Sequence, residues 1–182
     1  MERKKWYAFG TREVVYSALG AALYGVLSFA TNMLALPAAG NLAFRPAVCI
    51  PMFFGVAFGP WVGFISGFLG NVIGDALSGW GFWFWWDLGN GLMGLIPGFA
   101  ASMITDYRAT RSFIIADLFS ILGVIVGMGL ASLSEMWVSG VDLSTAIVGY
   151  FVPAALTNIV NGIILVPILM VAYAAIVGRT GR

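Results

Sequence analysis

The sequence has no histidine and only one cysteine, Cys49, in 182 residues. A single thiol excludes an intrachain disulfide, and without histidine it excludes a Cys/His metal centre. Acid-dense clusters of the kind that hold a dedicated metal ion are missing too, so no metal and no cofactor are expected. There is no Gly-rich phosphate loop and no nucleophile-elbow pattern, which leaves catalysis without a candidate group and makes an enzyme the wrong expectation. Charge is equally scarce. Asp, Glu, Lys and Arg make up 9% of the chain, with a formal net charge of +1, and no nucleic-acid partner is expected.

What is abundant is apolar. Hydrophobic residues reach 60% and the mean hydropathy is +0.95, values of an integral membrane protein rather than a soluble domain. A span needs about 20 residues, so six spans with short loops nearly exhaust the length. The expected fold is an all-α bundle of six transmembrane helices, a single domain over residues 1–182 with a cytoplasmic tail at 1–11. The charged start MERKKW, with Arg12 and Glu13 behind it, runs into a long apolar stretch without a small-residue cleavage site. That stretch is therefore expected to remain as a span.

The spans are expected at residues 13–34, 46–58 (interrupted by Pro51), 61–78, 87–104, 113–133 and 145–177. The last is too long for one straight crossing and should begin with an interfacial piece before Pro153. Charge sets the orientation. With six spans and a cytoplasmic N-terminus, Arg3, Lys4, Lys5, Arg12, Arg108, Arg111, Arg179 and Arg182 lie inside, and Arg45 alone lies outside. An odd number of spans would split the termini and spoil that bias.

The most unusual stretch is NVIGDALSGWGFWFWWDLGNG, residues 71–91, with four of the chain's seven tryptophans inside seven positions. Trp80, Trp83, Trp85 and Trp86 are bracketed by Asp75 and Asp87, with Asn71 and Asn90 outside them. One reading is an aromatic belt at the bilayer interface with the acids as helix caps. The other is a pocket. An intramembrane carboxylate costs about 2.5–3.5 kcal/mol on insertion scales, so such groups usually face a cavity or a partner. Given the orientation, Arg45, Asn71, Asp75, the tryptophans, Asp87, Asn90, Glu135 and Trp137 gather at the outer end, joined from the last span by Asn158 and Asn161. Flat indoles and polar groups together suit a small, flat, polar heterocycle. The segment carrying the tryptophans is expected to be extended between two spans, with Trp83 and Trp85 on a side that Trp86 leaves. In the first span, Ala18, Ala22 and Gly25 recur at helical spacing and leave a groove for another helix, of this protein or of a partner.

Residues 58–86, FGPWVGFISGFLGNVIGDALSGWGFWFWW, are similar to a group with the pattern FGPxxGxxxGxxGxxxxD followed by a Gly–Trp–Trp segment. With ALGAA at 18–22 and TNIVNG at 157–162, the chain resembles an S component of an energy-coupling-factor (ECF) transporter over most of residues 12–178. The resemblance implies a subunit of an ABC-type importer in a prokaryotic plasma membrane. Its ligand, a vitamin or vitamin precursor, would sit near the outer face under loops 35–45 and 79–87. The Ala18/Ala22 face would dock on a transmembrane coupling subunit driven by two cytoplasmic ATPases. A thiamine-like or pyrimidine compound suits tryptophan plus carboxylate best, and riboflavin is a further candidate. The alternative is a membrane scaffold or assembly protein whose tryptophans are only anchors.

Overall fold

A computed structural model describes residues 9–32, 34 and 44–180, and among these the regular elements are all helical. Helix α1, Thr11–Thr31, starts where the Glu13 carboxylate accepts the Gly10 backbone N–H at 3.0 Å. A 3₁₀ turn, Pro46–Val48, leads into α2, Cys49–Phe58. Gly59, at φ 106°, turns the chain into α3, Pro60–Leu77. Here Pro60 opens the helix at a position whose N–H would have no intrahelical partner. Helix α4 is Phe84–Gly98 and α5 is Thr110–Val138. A π-helical segment, Thr145–Phe151, passes into α6, Val152–Thr180.

Among the described residues three helical stretches are long and apolar enough to cross a membrane: Thr11–Thr31, Thr110–Val138 and Thr145–Val177. Their outward side chains, among them Leu19, Leu118, Leu122, Leu156 and Ile164, are exposed as lipid-facing groups would be. The chain is a membrane protein. The apolar helix Pro46–Phe58 is shorter, about 20 Å at 1.5 Å per residue. Pro51 does not interrupt it. It occupies the first turn of α2, where its missing N–H removes no helical bond.

Helix α3 is the centre of the packing, set between α1 and α4, and α4 in turn packs on α5. Glycine makes these contacts possible. A Cβ on Gly63 would lie 2.6 Å from the Gly94 carbonyl carbon and 2.7 Å from the Gly55 Cα, so α2, α3 and α4 meet backbone to backbone. Next to this crossing, Val56, Val62 and Met93 belong to a buried core that continues through Val124 and Met128 of α5 and Val166 and Met170 of α6.

Helix α1 buries Ser17, Ala21, Tyr24 and Ser28, while Ala18 and Ala22 stay exposed. The expected partner face is therefore split: Gly25 is buried against α3, where a Cβ would meet Ile73 Cγ2 at 2.6 Å. The stripe drifts by roughly 20° over seven residues, enough to carry its last member across the edge of the buried face.

Two boundaries differ from expectation in a way that matters. Helix α4 begins at Phe84, three residues before Asp87, so the tryptophan stretch is not extended throughout. Helix α5 continues to Val138, so Glu135 and Trp137 are helical rather than in a loop. The tail at 1–8 and the loop residues 35–43 lie outside the described residues.

Candidate functional site

Helix α3 brings Asn71 and Asp75 to its last turns, one turn apart and on one side. A turn containing Gly79 (φ 73°) and Gly81 (φ 87°) then reverses the chain, carrying Trp80 between them. Asp87 enters in the first turn of α4 and Asn90 one turn later. Because Trp83 is the residue before the helix and Trp86 lies three positions on, the two are on one side, with Asn90 a turn below.

These groups surround a cavity of about 430 Å³ at one end of the bundle. Its walls include Trp80, Trp83, Trp86 and Tyr150, and its polar lining includes Arg45, Asn71, Asp75, Asn90, Glu135 and Asn158. Met128, Ser139, Ala154 and Thr157 complete the side made by α5 and α6.

A polar network closes one wall. Arg45 donates to Asn71 Oδ1 at 2.7 Å and to Asp75 Oδ1 at 3.0 Å. Its guanidinium also lies 5.3 Å from the centroid of the Trp80 ring, a cation–π distance. Asn71 uses its amide twice, donating to Asp75 Oδ2 at 2.9 Å and to Asp87 Oδ1 at 2.8 Å. It thereby holds two carboxylates that would otherwise face each other. Asp87 is fully buried, and its Oδ2 has no hydrogen-bond partner among the described residues.

On the opposite side, Trp86 Nε1 donates to Glu135 Oε1 at 2.7 Å, and Ser139 Oγ donates to Glu135 Oε2. Below, Tyr24 donates to Asn90 Oδ1 at 2.5 Å, and Asn90 donates to the Trp86 carbonyl at 2.9 Å. Asn158 rests its amide on Met93 Sδ at 3.5 Å.

The candidate residues do not all converge. Trp85 and Trp137 stand outside the cavity, ring against ring at 5.5 Å and 86°, and Trp137 is 59% exposed. The expected pairing of Trp83 with Trp85 is replaced by Trp83 with Trp86, because a helix rather than an extended strand carries residues 84–86. Asn161 is buried and stands behind the cavity lining, its amide donating to Thr157 Oγ1 of that lining at 3.4 Å. Asp87 backs the wall through Asn71 rather than lining the space.

Tyr24, Ser139, Tyr150 and Thr157 were missing from the sequence-derived site, and Glu135 stood there only as part of an outer loop. Tyr24 gives no sign in the sequence, since it lies in an apolar run. For Glu135 and Ser139 the signal was their four-residue spacing, once the helix is carried on to Val138.

The arrangement can hold a small molecule with one or two flat rings. Indole and phenol faces supply apolar contact, while amides and carboxylates at the rim read ring nitrogens and hydroxyls. Among the described residues no group of three or more acids, histidines or cysteines is placed to hold a metal ion.

The sequence model of a family described as "ECF-type riboflavin transporter, S component" matches residues 8–175. Among curated proteins the chain is 35% identical over 127 residues to a UPF0397 protein of Vibrio atlanticus, covering 66% of this chain and 68% of that one. It is 31% identical to one from Aliivibrio salmonicida, covering 81% and 90%. A UPF0397 protein of Streptococcus sanguinis is 30% identical, covering 93% and 94%.

Proposed function

The chain belongs to the ECF-type riboflavin transporter S-component family, and from that membership we propose that it is the substrate-capture subunit of a vitamin importer. In this reading it binds a small, flat vitamin or vitamin precursor in the tryptophan-walled cavity. It then delivers the molecule through a transmembrane coupling subunit that two cytoplasmic ATPases drive. The observation that carries the proposal is the cavity of about 430 Å³, which joins three indoles to a hydrogen-bonded polar wall at one end of the bundle. A scaffold protein has no use for such a space.

The protein sits in a prokaryotic plasma membrane with six crossings, both termini and residues 106–111 in the cytoplasm and the cavity facing outward. The eight cationic residues assigned to the inner side, against Arg45 alone outside, support that orientation. Substrate enters from outside and slides between Trp83, Trp86 and Tyr150. The Arg45–Asn71–Asp75 wall is already internally bonded, so it presents fixed dipoles to the ligand and needs little rearrangement. The exposed Ala18 and Ala22 of α1 form the surface that approaches the coupling subunit, where small side chains let two helices come close. The subunit binds and presents; it makes and breaks no bonds in its substrate.

Uptake tests the reading. Cells that co-express the chain with a coupling module should accumulate a labelled vitamin, and cells with the module alone should not. Equal uptake in both would refute the assignment.

A further inference from the structure

The outer end of the molecule is electrostatically incomplete. Arg45 is the only lysine or arginine between Arg12 and Arg108. Its guanidinium is already committed to Asp75 at 3.0 Å, with the two side chains 15% and 5% exposed. Across the cavity Glu135 is 4% exposed and accepts only neutral donors, the Trp86 indole and the Ser139 hydroxyl. Among the described residues no cationic side chain pairs with it. Asp87, fully buried behind the Asn71 amide, adds a second carboxylate without a cation, and Asp142, the remaining acid at this end, caps the π-helical segment instead. Asp75, the acid that does have a cation, therefore leaves one guanidinium facing three carboxylates.

A carboxylate held away from water by neutral donors alone strongly favours a positive partner. The walls beside Glu135 favour one as well: the Trp86 and Tyr150 rings, 6.3 Å apart, offer electron-rich faces. The unneutralised acid and the aromatic cradle next to it, joined through Trp86, thus call for the same kind of occupant.

We infer that the ligand is a flat heterocycle carrying a positive charge, with Glu135 as its counter-ion. This rests on the capture reading and narrows it: neutral rings of the same size bind more weakly, and phosphorylated or carboxylated ones are rejected.

Isothermal titration of the detergent-purified protein with a matched pair separates charge from shape. The pair is thiamine and deazathiamine, in which a neutral thiophene replaces the thiazolium ring, with riboflavin as a neutral control. Thiamine should bind at least tenfold more tightly than deazathiamine, and Glu135→Gln should bring the two affinities to within a factor of about two of each other, whatever its effect on the absolute affinity of either. The wild-type comparison decides the matter even if the variant does not fold. Equal or tighter binding of deazathiamine would overturn the inference. Binding of riboflavin without thiamine would overturn it too, while leaving the capture reading intact. Failure of all three to bind would overturn the inference, while the capture reading would still stand or fall on the uptake assay.

Discussion

The hydroxyl of Tyr24, fully buried on α1, donates to Asn90 Oδ1 on α4 at 2.5 Å. Asn90 in turn fixes the carbonyl of Trp86, whose indole holds Glu135. The helix whose other side exposes Ala18 and Ala22 is thus bonded to the cavity wall. Tyr24→Phe should loosen Asn90 at the cost of one hydrogen bond, ~0.5–1.5 kcal/mol, or a roughly 2- to 13-fold weaker ligand affinity. Calorimetry on the purified variant checks this, and an unchanged affinity would show that Asn90 holds its place without Tyr24.

The tryptophans divide into two classes. Trp83→Ala and Trp86→Ala should each weaken binding by ~1–3 kcal/mol, about 5- to 150-fold, by analogy with base–aromatic stacking. Trp85→Ala, which removes a ring packed on Trp137 outside the cavity, should leave affinity within a factor of about two. If Trp85→Ala proved the most damaging of the three, the ligand would lie elsewhere.

That division shows where the sequence was legible and where it was not. Long apolar runs exposed the all-helical class, and the sequence between them the concentration of acids and tryptophans near one end, since both follow from composition along the chain. The start of α4 did not show, because FWFWW has no cap residue and reads equally as an interfacial strand. A shift of three residues, from 87 to 84, exchanged Trp85 for Trp86 on the inner side. Glu135 was misplaced for a similar reason: the apolar run weakens after Leu133, yet the helix continues to Val138. Contacts such as Tyr24 with Asn90, 66 positions apart, have no local signature at all.

Helix α1 gives a further contrast. Ala18→Trp or Ala22→Trp places bulk on an exposed surface and should abolish uptake while ligand binding by the isolated protein survives. Gly25→Leu should instead destabilise the protein, by ~1–3 kcal/mol or more, because its Cβ meets Ile73. Transport assays beside thermal melts separate the two effects. Loss of ligand binding in Ala18→Trp would mean that this face packs within the protein's own fold.

Arg45 and Asp75 form a largely buried pair, so removing one partner should be worse than removing both. Arg45→Met leaves Asp75 buried with only the Asn71 amide as partner, at a cost of about 3–5 kcal/mol. The double variant Arg45→Met/Asp75→Leu should recover a measurable part of that loss in a double-mutant cycle read by unfolding. Strictly additive losses would show that the 3.0 Å contact carries no coupling.

Native mass spectrometry of the protein purified from rich medium tests most directly whether the cavity captures a vitamin. The wild-type chain should carry one small, ultraviolet-absorbing molecule at one-to-one stoichiometry, and the Trp83→Ala/Trp86→Ala double variant, still folded by its thermal melt, should carry none. A wild-type protein that remains empty after incubation with a mixture of vitamins and their precursors, or a double variant that retains the same bound mass, would contradict the account.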